Sequence, residues 1–167
     1  MAEWLATYDA ASSPLIFTIW LLLAQRGQVL TYQSIDLGTA DLFQSAIKGS
    51  VDRPLLLHDV SFNGTRLEQV TFDYVHFTRC DFTDAKVWQG EFQHCGFSDC
   101  EFERADLTAT TWRLNDLTEL LLGADCGLAH SQWVRNRGQA LRPGISAPDL
   151  RTDQQIPEDI WLSLIHI

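Results

Sequence analysis

Between Val60 and Leu117 a large apolar residue recurs every five positions, a period that neither a helix nor a flat strand possesses. The positions are Phe62, Leu67, Phe72, Phe77, Phe82, Val87, Phe92, Phe97, Phe102, Leu107, Trp112 and Leu117, all twelve apolar. With 46% of the chain hydrophobic, chance would produce this in one fixed phase on the order of once in ten thousand. A second track lies two residues before each: Val60, Thr65, Val70, Val75, Cys80, Ala85, Gly90, Cys95, Cys100, Ala105, Thr110 and Asn115. It is small or β-branched until Asn115, an inward polar residue that reads as the end of the pattern. The remaining positions are mostly polar, with Tyr74, Trp88, Ala109 and Leu114 as the main exceptions. Two inward residues and three outward ones suit a short strand and a turn, repeated around a square coil. Fixed-period self-similarity marks a solenoid, in which each repeat buries its core only by stacking on its neighbours.

The stretch resembles the pentapeptide-repeat family, whose motif reads Ala-(Asp/Asn)-Leu-x-x. Cys80-Asp81-Phe82-Thr83-Asp84 and Ala105-Asp106-Leu107-Thr108-Ala109 match it well, and Cys100-Glu101-Phe102-Glu103-Arg104 and Ala85-Lys86-Val87-Trp88-Gln89 more loosely. The resemblance implies a mainly β fold: a right-handed quadrilateral parallel β-helix with four pentapeptides to each coil. Residues twenty apart should then stack. Phe62, Phe82 and Phe102 form one such column, Phe72, Phe92 and Trp112 a second, Phe77, Phe97 and Leu117 a third, and the slimmer Leu67, Val87 and Leu107 a fourth. Like-sized columns are what stacking at ~4.8 Å favours. Twelve repeats make about three coils over residues 55–122.

The flanks read differently. Residues 1–54 are expected to form an N-terminal α-helical cap: Pro14 opens a nearly all-apolar helix to Ala24, and Thr31–Ile35 and Ala40–Ile47 suggest short helical pieces. The apolar run is about half the ~20 residues that a membrane span requires, so no membrane span is expected. Read as a DNA-binding helix-turn-helix, Leu21–Lys48 offers only Arg26 and Lys48 as cations. Leu117–Leu122 suggests a short closing helix. Residues 123–161 read as a C-terminal extension and linker, with Val134–Gly138 as surface loop and Pro143, Pro148 and Pro157 beyond. Leu162–Ile167 looks like translated transposon-end sequencing adapter, which implies a native frame running on past Trp161.

A net charge of −10 argues against direct nucleic-acid binding. Four cysteines do not make a disulfide scaffold, and the inward thiols favour a reducing, cytoplasmic setting. No phosphate loop, nucleophile elbow or metal-ligand spacing is present; Cys95, Cys100 and His94 lack zinc spacing and point to opposite sides of the coil wall. No catalytic residue, cofactor or metal is expected. Asp81, Asp84, Glu101 and Glu103 gather on one convex face, where Asp84 and Arg104 are in register for an ion pair. Trp88 is the large aromatic aimed outward in mid-solenoid, either a partner anchor or covered by the N-terminal segment.

These residues suggest a non-enzymatic scaffold that presents side chains to a protein partner. The resemblance extends this to a bacterial protein, intact or part of a larger one, with secretion as an effector left open. Two alternatives accompany it. One is an acidic DNA mimic of the kind that protects topoisomerases; the other is the scaffold of an effector enzyme whose catalytic domain lies downstream. Oligomeric state is open.

Overall fold

A computed structural model describes residues 35–38 and 40–138. Ten short strands follow one another: β1 (Ile35–Asp36), β2 (Ala46–Lys48), β3 (Leu55–His58), β4 (Val60–Ser61), β5 (Thr71–Asp73), β6 (Val75–Thr78), β7 (Glu91–Gln93), β8 (Gly96–Ser98), β9 (Thr111–Arg113) and β10 (Gln132–Val134). All pair in parallel, and each pairs with the strand one coil away. One wall of the prism is a five-stranded sheet in the order β10-β9-β7-β5-β2, another the three-stranded sheet β3-β6-β8, and a third begins with β1-β4. Single bridges complete the fourth wall, joining Asp41, Arg66, Lys86, Asp106 and Gly127. Five rungs on that wall mean four turns of the chain between them.

The corners explain the period. At every fifth residue from Asp59 to Leu114 the backbone φ is positive, between 50° and 65°. A left-handed residue turns the chain from one wall onto the next with one amino acid, so strand and corner fit into five. An L side chain there costs roughly 1–2 kcal/mol, and most for a β-branched one. None of the twelve corner residues is Val, Ile or Thr. The motif's aspartate has its own task. Asp81, Asp106 and Asp116 each accept a hydrogen bond at Oδ1 from the backbone N–H two residues on, at 2.8 to 3.0 Å. This Asx-turn pins the bend that follows.

Inside, the four columns stack as their spacing predicts. Phe62, Phe82 and Phe102 lie parallel with centroids 4.7 and 4.5 Å apart. Phe72, Phe92, Trp112 and Trp133 continue a second stack at 5.2, 4.2 and 4.7 Å. Adjacent columns meet edge to face, as Phe72 and Phe77 do at 5.2 Å and 81°, the arrangement that ring quadrupoles prefer. Buried polar groups are matched: the Trp112 indole N–H donates to Thr110 Oγ1 at 2.9 Å, and that hydroxyl donates to Leu107 O at 2.7 Å.

The coil is longer than the sequence reading allowed, at both ends. Residues 40–47 are a bridge and β2, not helical, and Leu37, Leu42 and Ile47 are buried core. Ala40-Asp41-Leu42 carries the family motif letter for letter. Five extra residues between β2 and β3 concealed the continuity, because pairing there runs at an offset of 25 instead of 20. Leu117–Leu122 is a corner and bridge, and no helix occurs among the described residues. One inserted residue shifts the last rung to an offset of 21, so Val134–Arg137 is strand and bridge where a surface loop was expected. The helix expected from Pro14 to Ala24 lies outside the described residues.

Asn115 does not end the coil; it ties two rungs together. Its Oδ1 accepts the Cys95 N–H at 2.8 Å and its Nδ2 donates to Phe92 O at 2.9 Å. Asn136 repeats the arrangement one coil on, accepting the Asn115 N–H at 2.9 Å and donating to Trp112 O at 3.0 Å. A carboxamide supplies a donor and an acceptor on two separate atoms, so one short side chain can bond an N–H and a carbonyl of the neighbouring rung at once.

Candidate interaction surface

Residues at one corner recur one coil apart, so each of the four corners is a ladder of side chains. At one, Gln44 Nε2 donates to Gln69 Oε1 at 2.7 Å and Gln69 Nε2 to Gln89 Oε1 at 3.1 Å. At the next, Tyr74 and His94 stack with centroids 4.3 Å apart, and His94 Nδ1 lies 2.9 Å from Asp73 Oδ1. The other two corners carry arginine forks. Arg79 grips Asp59 through Nε and Nη2 at 2.7 and 2.8 Å, and Arg104 grips Asp84 at 2.8 Å twice. Both arginines hold their carboxyl partners below the ordinary range, chiefly by these hydrogen bonds.

That geometry places the four carboxylates singled out in the sequence. Asp81 accepts from Thr83 N–H at 2.8 Å and lies 3.4 Å from Asn63 Nδ2, so it serves the turn. Asp84 is held in the register-matched pair with Arg104, and Glu103 stands 3.6 Å from the same guanidinium. Glu101 is exposed on the bridge to Asp81. The four share a neighbourhood, but they do not converge on a common point. Their geometry is that of struts between coils, and exposed pairs of this kind contribute little to stability.

The thiols are likewise internal. Cys80, Cys95 and Cys100 are free and buried, and Cys126 is buried with its Sγ on the Phe102 carbonyl. Burial pushes the Cys95 thiol up to about 12. A hydrogen bond with Cys100, and then burial, push Cys80 well above its ordinary range.

Trp88 is different. It is 42% exposed, while every other described aromatic of the stacked columns is buried. Phe43 occupies the equivalent outward position two rungs away and is 39% exposed, with the Arg66 guanidinium 4.6 Å above its ring. Arg66 in turn bonds Asp41 at 2.9 Å and Glu68 at 3.0 Å. One wall therefore presents two aromatic rings around a charged network on a backbone held by the coil. Phe43 was missed in the sequence because residues 40–47 read as helix; the Ala40-Asp41-Leu42 motif was the signal that could have placed it.

The family model described as Pentapeptide repeat region matches residues 56–133. No curated protein sequence matches the chain. Among solved structures, a pentapeptide repeat protein from the Arabidopsis thaliana thylakoid lumen superposes with a TM-score of 0.53 at 15% identity, covering 73% of each chain. HetL, a pentapeptide repeat protein involved in heterocyst differentiation regulation from the cyanobacterium Nostoc sp. strain PCC 7120, gives 0.48 at 17% identity over 69% of this chain and 52% of that one. Residues 56–133 are thus a pentapeptide-repeat region, the stretch that builds the coil.

Proposed function

We propose that this protein is a non-catalytic scaffold whose prism presents the Trp88–Phe43 wall to a protein partner. The observation that carries the reading is the exposed Trp88 ring on a rigid lattice. Association costs less when the anchor is already held in place, and tryptophan is enriched among residues that dominate interfaces. The remaining polar side chains support a structural reading, since the charged corners are occupied with one another. For the same reason a duplex-imitating acidic stripe draws less support: Asp59 and Asp84 are neutralised in place. The inward, buried Cys80, Cys95 and Cys100 suit a cytoplasmic setting, and a bacterial origin, with the chain intact or part of a larger protein, belongs to the same proposal.

The test is affinity capture with the chain immobilised, followed by identification of what is retained by the parent and lost by Trp88→Ala. Because Trp88 lies outside the core, its removal should leave the thermal midpoint within about 2 °C, equivalent to the ~0.5 kcal/mol expected at a surface site. A partner retained equally by parent and variant would refute this wall as the anchor.

A further inference from the structure

Two interruptions of the repeat meet at one place on the wall opposite Trp88. The first is the five-residue insertion between β2 and β3. The chain leaves the coil at Gly49, whose N–H donates to Asp73 O at 2.8 Å, and rejoins it at Leu55, whose N–H donates to Tyr74 O at 2.9 Å. These are consecutive carbonyls, so the extra residues project outward without breaking the ladder. Gly49 permits this, because a Cβ there would fall 2.5 Å from both Leu55 N and Tyr74 O. Ser50 and Arg53 close the excursion with reciprocal backbone hydrogen bonds of 2.9 and 3.1 Å. It stands as a lip beside the β3-β6-β8 sheet.

The second interruption is Gly96, in the outward column Leu56, His76, Gly96, Asp116 and Arg137. Every other rung of that column carries a side chain. A Cβ on Gly96 would lie 2.9 Å from His76 Nδ1, so the imidazole leans into the gap. Lip and gap together turn a flat wall into a groove of about 450 Å³, within the size range of small-ligand pockets.

The lining is two-sided. Val51, Pro54 and Leu56 supply apolar surface at one end, and Val51 and Leu56 are each 38% exposed. Asp116, Glu119 and Arg137 supply charge at the other, two carboxylates to one guanidinium. Asp116 spends Oδ1 on its own turn, but its Oδ2 stands 3.9 Å from Arg137, whereas the corner forks close at 2.7 to 2.8 Å. That oxygen is left open to a better donor. Burial lowers the His76 imidazole below its ordinary range, so at neutral pH it adds no positive charge to the floor.

We propose that this groove is a binding site for a cationic head, guanidinium or primary ammonium, carried on a short apolar stem. The head meets Asp116 and Glu119, and the stem lies along Val51, Pro54 and Leu56. A free alkylamine or alkylguanidine has this chemistry, and so does an arginine or lysine of a bound polypeptide. The site is independent of the Trp88 wall, and either can fail without the other.

The experiment is an amide-resolved NMR titration of the full chain, following the Gly96 and Asp116 signals. The probes are n-butylguanidinium, n-butyrate and n-butanol, and then a capped Leu-Arg-Leu peptide. Saturable shifts at both residues with butylguanidinium but not with the other two small probes are expected. Asp116→Asn keeps the oxygen that the turn requires and should weaken binding at least fivefold, as should Glu119→Gln if the first variant proves misfolded. Equal response to butyrate or butanol, or unchanged affinity in a folded Asp116→Asn, overturns the proposal. A peptide affinity tenfold above that of butylguanidinium assigns the head to a polypeptide; equal affinity assigns it to a small molecule.

Discussion

Replacing Asn115 tests whether the inward asparagine ladder, and not hydrophobic filling alone, holds the last rungs. Asn115 is fully buried and satisfies the Cys95 N–H and the Phe92 carbonyl. Asn115→Ala strands both groups in the core, and each orphaned buried group costs about 1–3 kcal/mol. The loss should therefore be about 2–6 kcal/mol, a large share of the ~5–15 kcal/mol typical of a domain. Asn115→Val separates the causes. Valine refills most of the space yet offers neither donor nor acceptor, so it should recover less than ~1 kcal/mol of the alanine loss. Urea denaturation followed by circular dichroism gives the midpoints, and hydrogen exchange at the Cys95 amide reports the broken link directly. A valine variant as stable as the parent, with Cys95 exchange unchanged, would show that the carboxamide bridges contribute nothing and that the reasoning is wrong.

Three further outcomes follow from the same geometry. Ala109 has φ of 57°, so Ala109→Gly should stabilise by up to ~1 kcal/mol and Ala109→Val should destabilise by about 1–3 kcal/mol in the same denaturation assay. The Arg104 fork lowers the Asp84 carboxyl pKa from 3.8, so the pair's stabilisation is complete above that value and is lost as pH falls through the folded midpoint. Carbon-detected NMR should find the Asp84 titration below 3.8 in the parent and moved up in Arg104→Gln; an unmoved midpoint would rule out the fork in solution. Burial pushes the Cys95 thiol to about 12, so a maleimide at neutral pH should label it only when the coil opens. Labelling as fast in the native chain as in urea would refute that burial.

The repeat was legible because a solenoid is nearly one-dimensional: each pentapeptide meets the same environment, so the environment is written into the chain at a fixed interval. The aromatic columns, the inward thiols and the Asp84–Arg104 pair could all be read by counting in twenties. The pattern was lost where counting was interrupted. Leu37, Leu42 and Ile47 keep the five-residue phase, but Asp52 breaks it and the lip separates them from Leu57. Local propensity then favoured helix at 40–47, and parallel stacking overrode it, as tertiary packing commonly does. Asn115 looked like a terminus because a polar inward residue is costly alone; its partners, Cys95 and Phe92, are a full coil away.

By itself, then, the sequence determined the kind of coil, its corners and its core, since these depend on which residue occupies each fifth position. Its acidic balance and outward Trp88 were equally plain. Only the folded chain decided how far the coil extends, which carboxylates are committed to ladders, and that Phe43 joins Trp88 on one wall. The groove is the clearest case. Val51, Gly96, Asp116 and Arg137 lie on different rungs, and no local signal links them. They become neighbours only when each coil lies one strand spacing above the last.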